Sequence, residues 1–242
     1  MRRPWIAWTL AGLLAVSASA FAYLFWFAGG SGEPSTELTT PELSDTTSPT
    51  EGSAASTTDR GSQTSYIIDP TQSTAGFQIE EELQGRPNQV TGLTDQVAGQ
   101  VKVDPSDLST TQFSDIVVNA RTFVTDSERR DRAIRGPVIL DSASDEHELI
   151  TLEVTSVDGL AGSANVGDTV DFSLTGDLTI KGTTSPVTFA VSVIFVDEGT
   201  IQGTATAEVT RSQFGIGIPS VPGVANVADD VLLRLEFVAT AG

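Results

Sequence analysis

Cysteine is absent from this 242-residue chain, and histidine occurs once, as His147. The lack of cysteine excludes disulfides, thiol catalysis, cysteine-ligated metals and lipid attachment through a cysteine. A single histidine excludes multi-histidine metal centres, so catalysis through histidine would depend on His147 alone. That residue lies in a polar stretch without a recognisable nucleophile pattern, and we interpret it as an exposed loop residue. The sequence therefore predicts no enzymatic activity, no cofactor and no metal site.

Basic residues are also scarce. The chain has 13 lysines and arginines against 32 aspartates and glutamates, which gives a formal net charge of −19. Such a chain repels the phosphate backbone of DNA or RNA, so we expect no nucleic-acid partner.

Half of the few basic residues of the C-terminal part lie together between Arg121 and Arg135. Because guanidinium groups pair bidentately with phosphate, this cluster has a functional interpretation as an anionic headgroup site. The alternative is a solvated helix whose arginines pair with neighbouring carboxylates at helical spacing. The headgroup candidates are Arg129, Arg130 and Arg135.

A long uncharged run occurs at the N-terminus, where Trp5 to Ala28 are apolar and follow Arg2 and Arg3. These 24 residues would span about 36 Å as a helix, enough to cross a hydrocarbon core about 30 Å thick. Aromatic residues lie at both ends, as in the interfacial belts of membrane helices. We therefore predict a membrane anchor over residues 1–28, with the N-terminus in the cytoplasm and the remaining chain outside the cytoplasmic membrane.

A cleaved signal peptide is the alternative, since Ala18-Ser19-Ala20 offers a small-residue cleavage site. The domain would then be secreted or periplasmic. Residues 29–65 are rich in Ser, Thr, Pro, Gly and Glu and have no apolar period, which predicts a disordered acidic linker. As a flexible coil, these 37 residues would reach about 35 Å.

Alternation of apolar and polar residues dominates residues 66–242, and only one segment, 126–136, has the pattern of a helix. Asp126 or Ser127 is predicted to cap this helix, and Gly136-Pro137 to end it. Strict alternation is typical of strands with one buried and one solvated face. The longest case is a hairpin within residues 170–195. About eight strands with one short helix favour an all-β antiparallel up-and-down barrel. The first predicted strand covers residues 66–69, is interrupted at Pro70 and resumes over 73–82, and a loop is predicted at 83–88. The other predicted strands cover residues 90–103, 113–120, 149–157, 170–180, 187–195, 201–209 and 231–239.

The order of motifs resembles the YceI-like family of lipocalin-like, polyisoprenoid-binding proteins. The motifs are YIID at residue 66, ARTFVTDSERRDRAIRG at 120, TGDLTIKGTTSPVTF at 175, RSQFGI at 211 and VADDVLLRLEF at 227. The resemblance implies a lipocalin-like barrel over residues 66–242, without catalytic activity, that holds a prenyl quinone or polyprenyl phosphate. Many members carry a histidine soon after the strand matched by 77–79. This sequence has Glu80-Glu81-Glu82 there, so no headgroup contact is inferred at that point.

The inward faces of the strands have two interpretations, a ligand-filled lumen or an ordinary packed core. With a lumen, the protein would bind, store or transport an isoprenoid lipid. With a filled core, it would be a structural or protein-interaction domain at the cell surface. The apolar loop 216–224 is predicted to be either a flap or a membrane-facing lip at the mouth, or a plug across a barrel end. The lumen candidates are Phe77, Ile79, Phe123, Phe172, Leu174, Phe189, Val191, Ala205, Ala207, Phe214 and Phe237.

Overall fold

The computed structural model describes residues 30–43 and 63–242. The predicted anchor, the alternative cleavage site and most of the predicted linker lie outside these residues. In the two described ranges, no helix is long and apolar enough to cross a membrane.

The described chain is an antiparallel β-protein with one α-helix, as the alternation predicts. Short 3₁₀ turns occupy several of the connections. The strands are β1 (Thr64–Ile68), β2 (Thr74–Leu83), β3 (Arg86–Thr94), β4 (Val97–Ala98), β5 (Gln100–Val103), β6 (Gln112–Phe113), β7 (Ile116–Asn119), β8 (Leu149–Asp158), β9 (Thr169–Ile180), β10 (Thr183–Asp197), β11 (Thr200–Thr210), β12 (Val224–Ala225) and β13 (Asp230–Ala241).

The sheet closes into a barrel through the bent segment 86–103. Its first part, β3, pairs with β2, its middle part, β4, pairs with β7, and its last part, β5, pairs with β1. From β7 the sheet continues through β8, β9, β10 and β11 to β13, which pairs with both β1 and β2. The single strand predicted for residues 90–103 is therefore three short strands, because the segment must turn to meet three different partners.

The β9–β10 hairpin is the longest wall of the barrel. Its turn is Lys181-Gly182, both with positive φ, a combination that suits the right-handed twist of a hairpin. The predicted alternation is confirmed. Phe189, Val191 and Phe195 are buried, whereas the exposed residues between them face solvent. The predicted loop at 83–88 is instead a tight turn at Gln84-Gly85, and β3 already begins at Arg86.

Helix α1 (Glu128–Arg135) lies in the segment predicted to be helical. Ser127 is its N-terminal cap residue and Gly136 is its C-terminal cap residue, in agreement with the helix ends predicted from the sequence. The first turn holds Glu128 and Asp131, and the last turn holds Arg132 and Arg135, which complements the helix dipole. Its buried residue Ile134 packs into the core of the barrel.

Residues 30–43 contact the barrel, in contrast to the prediction of a disordered linker through this range. The backbone N–H of Ser35 donates to Glu148 Oε1 at 2.8 Å, and its hydroxyl donates to Glu148 Oε2. Further along, the Gln100 side-chain amide donates to the carbonyl oxygen of Pro41 at 2.7 Å. The sequence shows no signal for this contact, because the partner of Ser35 is a carboxylate 113 residues away.

Glu148 belongs to a buried polar cluster beneath this segment. It is 3% exposed and accepts a hydrogen bond from Asn119 at 2.7 Å, and Arg121 Nη1 lies 3.2 Å from its Oε2. Burial raises the pKa of Glu148, but the hydrogen bonds from Ser35 and Asn119 and the charge of Arg121 outweigh it and hold the pKa below 4.5. The ionised form is therefore stabilised by folding.

The lowered pKa of Glu148 predicts that the stability of the fold depends on pH. The hydrogen bonds from Ser35 are part of the cause. A carboxylate with a depressed folded-state pKa stabilises the fold above its ordinary pKa, and this contribution is lost as pH falls through the folded value. We expect Ser35→Ala to lower the urea midpoint at neutral pH and to flatten its decline below about pH 5. Ser31→Ala is the control, because the Ser31 hydroxyl accepts a hydrogen bond from the nearby Glu33 N–H and not from the barrel. Identical pH profiles for Ser35→Ala and the unmodified chain would contradict the assignment.

Candidate ligand-binding site

An apolar inner chamber of about 190 Å³ occupies the interior of the barrel. Its walls are the inward faces of the strands, and its 31 lining residues include only three with polar side chains, Gln100, Thr111 and Arg234. At one end Leu108, 2% exposed, belongs to a 3₁₀ turn that is tied to the facing loop by a hydrogen bond from its N–H to the carbonyl oxygen of Gly162 at 2.8 Å. This turn packs at that end of the barrel.

An outer chamber of about 460 Å³ adjoins the inner one and reaches the surface. The exposed residues Leu83, Gln84 and Arg129 are part of its lining, so this chamber is the mouth of the barrel. Helix α1 forms one wall, and the apolar loop 216–224 forms another. The two chambers share five lining residues, which makes them parts of one continuous lumen: Gly76, Phe123, Ile150, Ile180 and Leu233.

An aromatic pair lies where the chambers meet. The rings of Phe77 and Phe123 pack edge to face, with centroids 5.4 Å apart and planes at 80°. The Phe77 ring lies directly over Gly92, where an added Cβ would be 2.3 Å from its Cε1 atom. The absence of a side chain at Gly92 therefore leaves room for the Phe77 ring near the place where the two chambers meet.

The predicted lumen residues divide between the chambers, with one exception. Ala207 is 6% exposed and packs in the core, but it lines neither chamber. Phe77, Ile79 and Phe214 line the outer chamber, and Phe123 lines both. The inner chamber takes Phe172, Leu174, Phe189, Val191, Ala205 and Phe237.

The three headgroup candidates are not equivalent. Arg129 is exposed at the mouth, and Arg130 lines the same chamber with its side chain 19% exposed. Arg135 lines neither chamber. It is 7% exposed and lies beside Gly32 of the docked segment, and burial lowers its pKa although Asp131 opposes this effect.

Glu81 is a mouth residue that is not among the predicted site residues. Its side chain is 8% exposed, it lines the outer chamber, and its Oε1 accepts hydrogen bonds from Arg130 at 3.1 Å and from Asn88 at 2.9 Å. The signal was available, since continuing the alternation Phe77, Ile79 by two residues places Glu81 on the inward face.

The loop 216–224 is fastened as a lip beside the mouth. Arg211 donates to the carbonyl oxygens of Ala228 at 2.9 Å and Ile216 at 3.1 Å, which holds both ends of the loop. Between these ends, the Gln84 N–H donates to the carbonyl oxygen of Gly223 at 2.7 Å. Of the two predicted roles, the lip position agrees with a flap at the mouth. The Leu108 turn lies at the opposite end of the barrel.

His147 lines neither chamber. It was predicted to be exposed, but it is only partly so. Its side chain is 20% exposed, and Nδ1 lies 2.9 Å from Asp141 Oδ2. The imidazole therefore has a local carboxylate partner in the connection before β8.

The sequence of the barrel matches a known domain. Residues 66–239 match the YceI-like domain, which is well over half of the chain. The chain belongs to the YceI-like family. A comparison with curated proteins found no match.

Two solved structures share the YceI-like fold with this chain. BcnA from Burkholderia cenocepacia is 20% identical with a TM-score of 0.54, and the match covers 72% of this chain and 99% of BcnA. A polyisoprenoid binding domain from Saccharophagus degradans, implicated in plant cell wall breakdown, is 11% identical with a TM-score of 0.54, covering 73% and 98%. At these identities, the likeness shows the fold.

The geometry of this YceI-like barrel suits a long apolar molecule with one polar end. The inner chamber offers almost no hydrogen-bonding partner, whereas the mouth carries charged and amide side chains. Such a site gains free energy mainly by removing apolar surface from water, at about 25 cal/mol per Å².

Proposed function

We propose that the protein binds, stores or carries an isoprenoid lipid, a prenyl quinone or a polyprenyl phosphate, without catalysing a reaction on it. The observation that carries the proposal is the apolar lumen, whose inner and outer chambers share lining residues and which opens at the mouth. Each buried CH₂ of a prenyl chain contributes about 0.8 kcal/mol, so a chain that fills both chambers would be held firmly.

The lumen favours this function over the alternative, a structural or protein-interaction domain with a filled core. A barrel of this size either is filled by its side chains or holds one small ligand. Apolar cavities of about 190 and 460 Å³ in direct contact correspond to the second case.

The location of this function is part of the proposal. The apolar run over residues 5–28 would anchor the chain in the cytoplasmic membrane, with the barrel on its outer face. The apolar lip with Ile218, Pro219 and Val221 beside the mouth would let a lipid pass from the bilayer surface into the barrel without crossing water.

Lipid extraction tests the proposal. We expect a fragment of residues 30–242, expressed in a bacterium and purified without detergent, to yield an isoprenoid lipid on solvent extraction and mass spectrometry. The same fragment, stripped of lipid, should take up an added prenyl quinone. A protein that carries no isoprenoid and takes up neither a prenyl quinone nor a polyprenyl phosphate would refute the proposed function.

A further inference from the structure

We propose that the mouth selects an uncharged headgroup, such as a quinone ring, and disfavours a phosphate. This inference rests on the proposed function and narrows its ligand class. It comes from the carboxylate of Glu81, which lies inside the mouth where an anionic headgroup would have to sit.

Glu81 is fixed in this position. It stands opposite Asn88 in the β2–β3 register, and the Asn88 amide donates to its Oε1. The side chain is 8% exposed, so little water is available to screen its charge from a ligand in the chamber. A phosphate brought into the same chamber would meet a like charge at low effective dielectric.

Arg130, the cation that would otherwise attract a phosphate, already has two carboxylate partners. Its Nη2 donates to Glu81 and its Nη1 donates to Asp126. A phosphate that approached Arg130 would therefore meet the negative charges of both carboxylates. A guanidinium has five N–H groups, so Arg130 can keep both pairs and still donate to the carbonyl oxygen of a neutral ring.

The other cations of the mouth do not reverse this balance. Arg211 is held by two backbone carbonyls of the lip and by Asp229, whose Oδ1 lies 3.7 Å from its Nε. Arg129 is exposed to solvent, where its charge is screened. The charged side chains that line the outer chamber are Arg129, Arg130, Arg211, Glu81 and Asp126.

A competition experiment on the full chain tests the inference. The purified protein in detergent micelles is equilibrated with equal amounts of a prenyl quinone and a polyprenyl phosphate of the same chain length, and the bound lipids are quantified by mass spectrometry. We expect the quinone to be preferred by about tenfold or more, and Glu81→Gln to raise the affinity for the phosphate by about tenfold. Glutamine keeps the size of the side chain and the acceptor for Asn88 but removes the charge.

Glu80→Gln is the matched control, because it makes the same charge change on the exposed face of the same strand. It should leave the preference unchanged, and thermal unfolding of both variants checks that the barrel is intact. Equal binding of the two lipids by the unmodified chain, or no gain in Glu81→Gln, would overturn the inference and leave the proposed function in place. Binding of neither lipid would refute the proposed function itself.

Discussion

An Ala205→Phe variant should take up no isoprenoid lipid while it remains folded. Ala205 lines the inner chamber between its partners Val191 and Leu235, so a phenyl ring at this position would project into the space that a prenyl chain would fill. Because the ring occupies a cavity, we expect the free energy of unfolding to stay within about 1 kcal/mol of the original. Lipid uptake measured by mass spectrometry and urea unfolding measured by circular dichroism check both parts.

Two further phenylalanine variants isolate the effect of the cavity. Ala190→Phe adds the same ring to the exposed face of β10 and should leave uptake intact. Ala207→Phe places the ring in packed core outside both chambers, where overpacking typically costs about 1–3 kcal/mol. If Ala205→Phe binds lipid as the unmodified chain does, the inner chamber is not the site of the prenyl chain.

Replacing Arg121 by methionine should cause a large loss of stability. Arg121 is 8% exposed, lies beside Glu148, and donates to the carbonyl oxygen of Ser142 at 2.7 Å. Methionine would leave the buried Glu148 carboxylate without its cation. Removing one partner of a buried ion pair costs about 3–5 kcal/mol, which is a large part of the stability of a typical domain.

Arg234→Met is the control for this change. Arg234 pairs with Glu236 on β13 with both side chains about half exposed, and such a surface pair contributes about 0–1 kcal/mol. Chemical unfolding of the two variants should therefore give clearly different midpoints. Similar midpoints would show that the Arg121–Glu148 cluster contributes no more than a surface ion pair.

Periodicity was sufficient to predict most of the barrel because each strand has a solvated and a buried face. Val187, Phe189 and Val191 are buried as the two-residue period requires, and helix α1 lies between the residues that were read as its caps. The two-residue period also identifies a residue of the site, because extending it from Ile79 by two positions places Glu81 on the inward face of β2. Because Glu80 and Glu82 flank it, Glu81 looks in the sequence like part of a solvated acidic run.

Contacts between distant segments could not be predicted from the period. Arg135 lies on the same short helix as Arg130, yet it is buried beside Gly32 instead of lining the mouth. Ala205 and Ala207 lie on the same face of β11, and only the packing of the neighbouring strands decides that one lines a cavity and the other does not. The break of segment 86–103 into three strands likewise depends on partners from elsewhere in the chain.

The hydrogen bonds between Ser35 and Glu148 shorten the linker between the proposed anchor and the barrel. Only seven peptide steps separate Ala28 from Ser35, which span at most about 25 Å when fully extended, and the remaining residues up to Thr64 add nothing to this reach. The same segment also contacts the helix that forms one wall of the mouth, because Gly32 lies beside Arg135 in the last turn of that helix. With the proposed anchor in the bilayer, the barrel could not move far from the membrane or turn its opening far away from it. The lumen would therefore take its lipid from the part of the membrane directly beneath it.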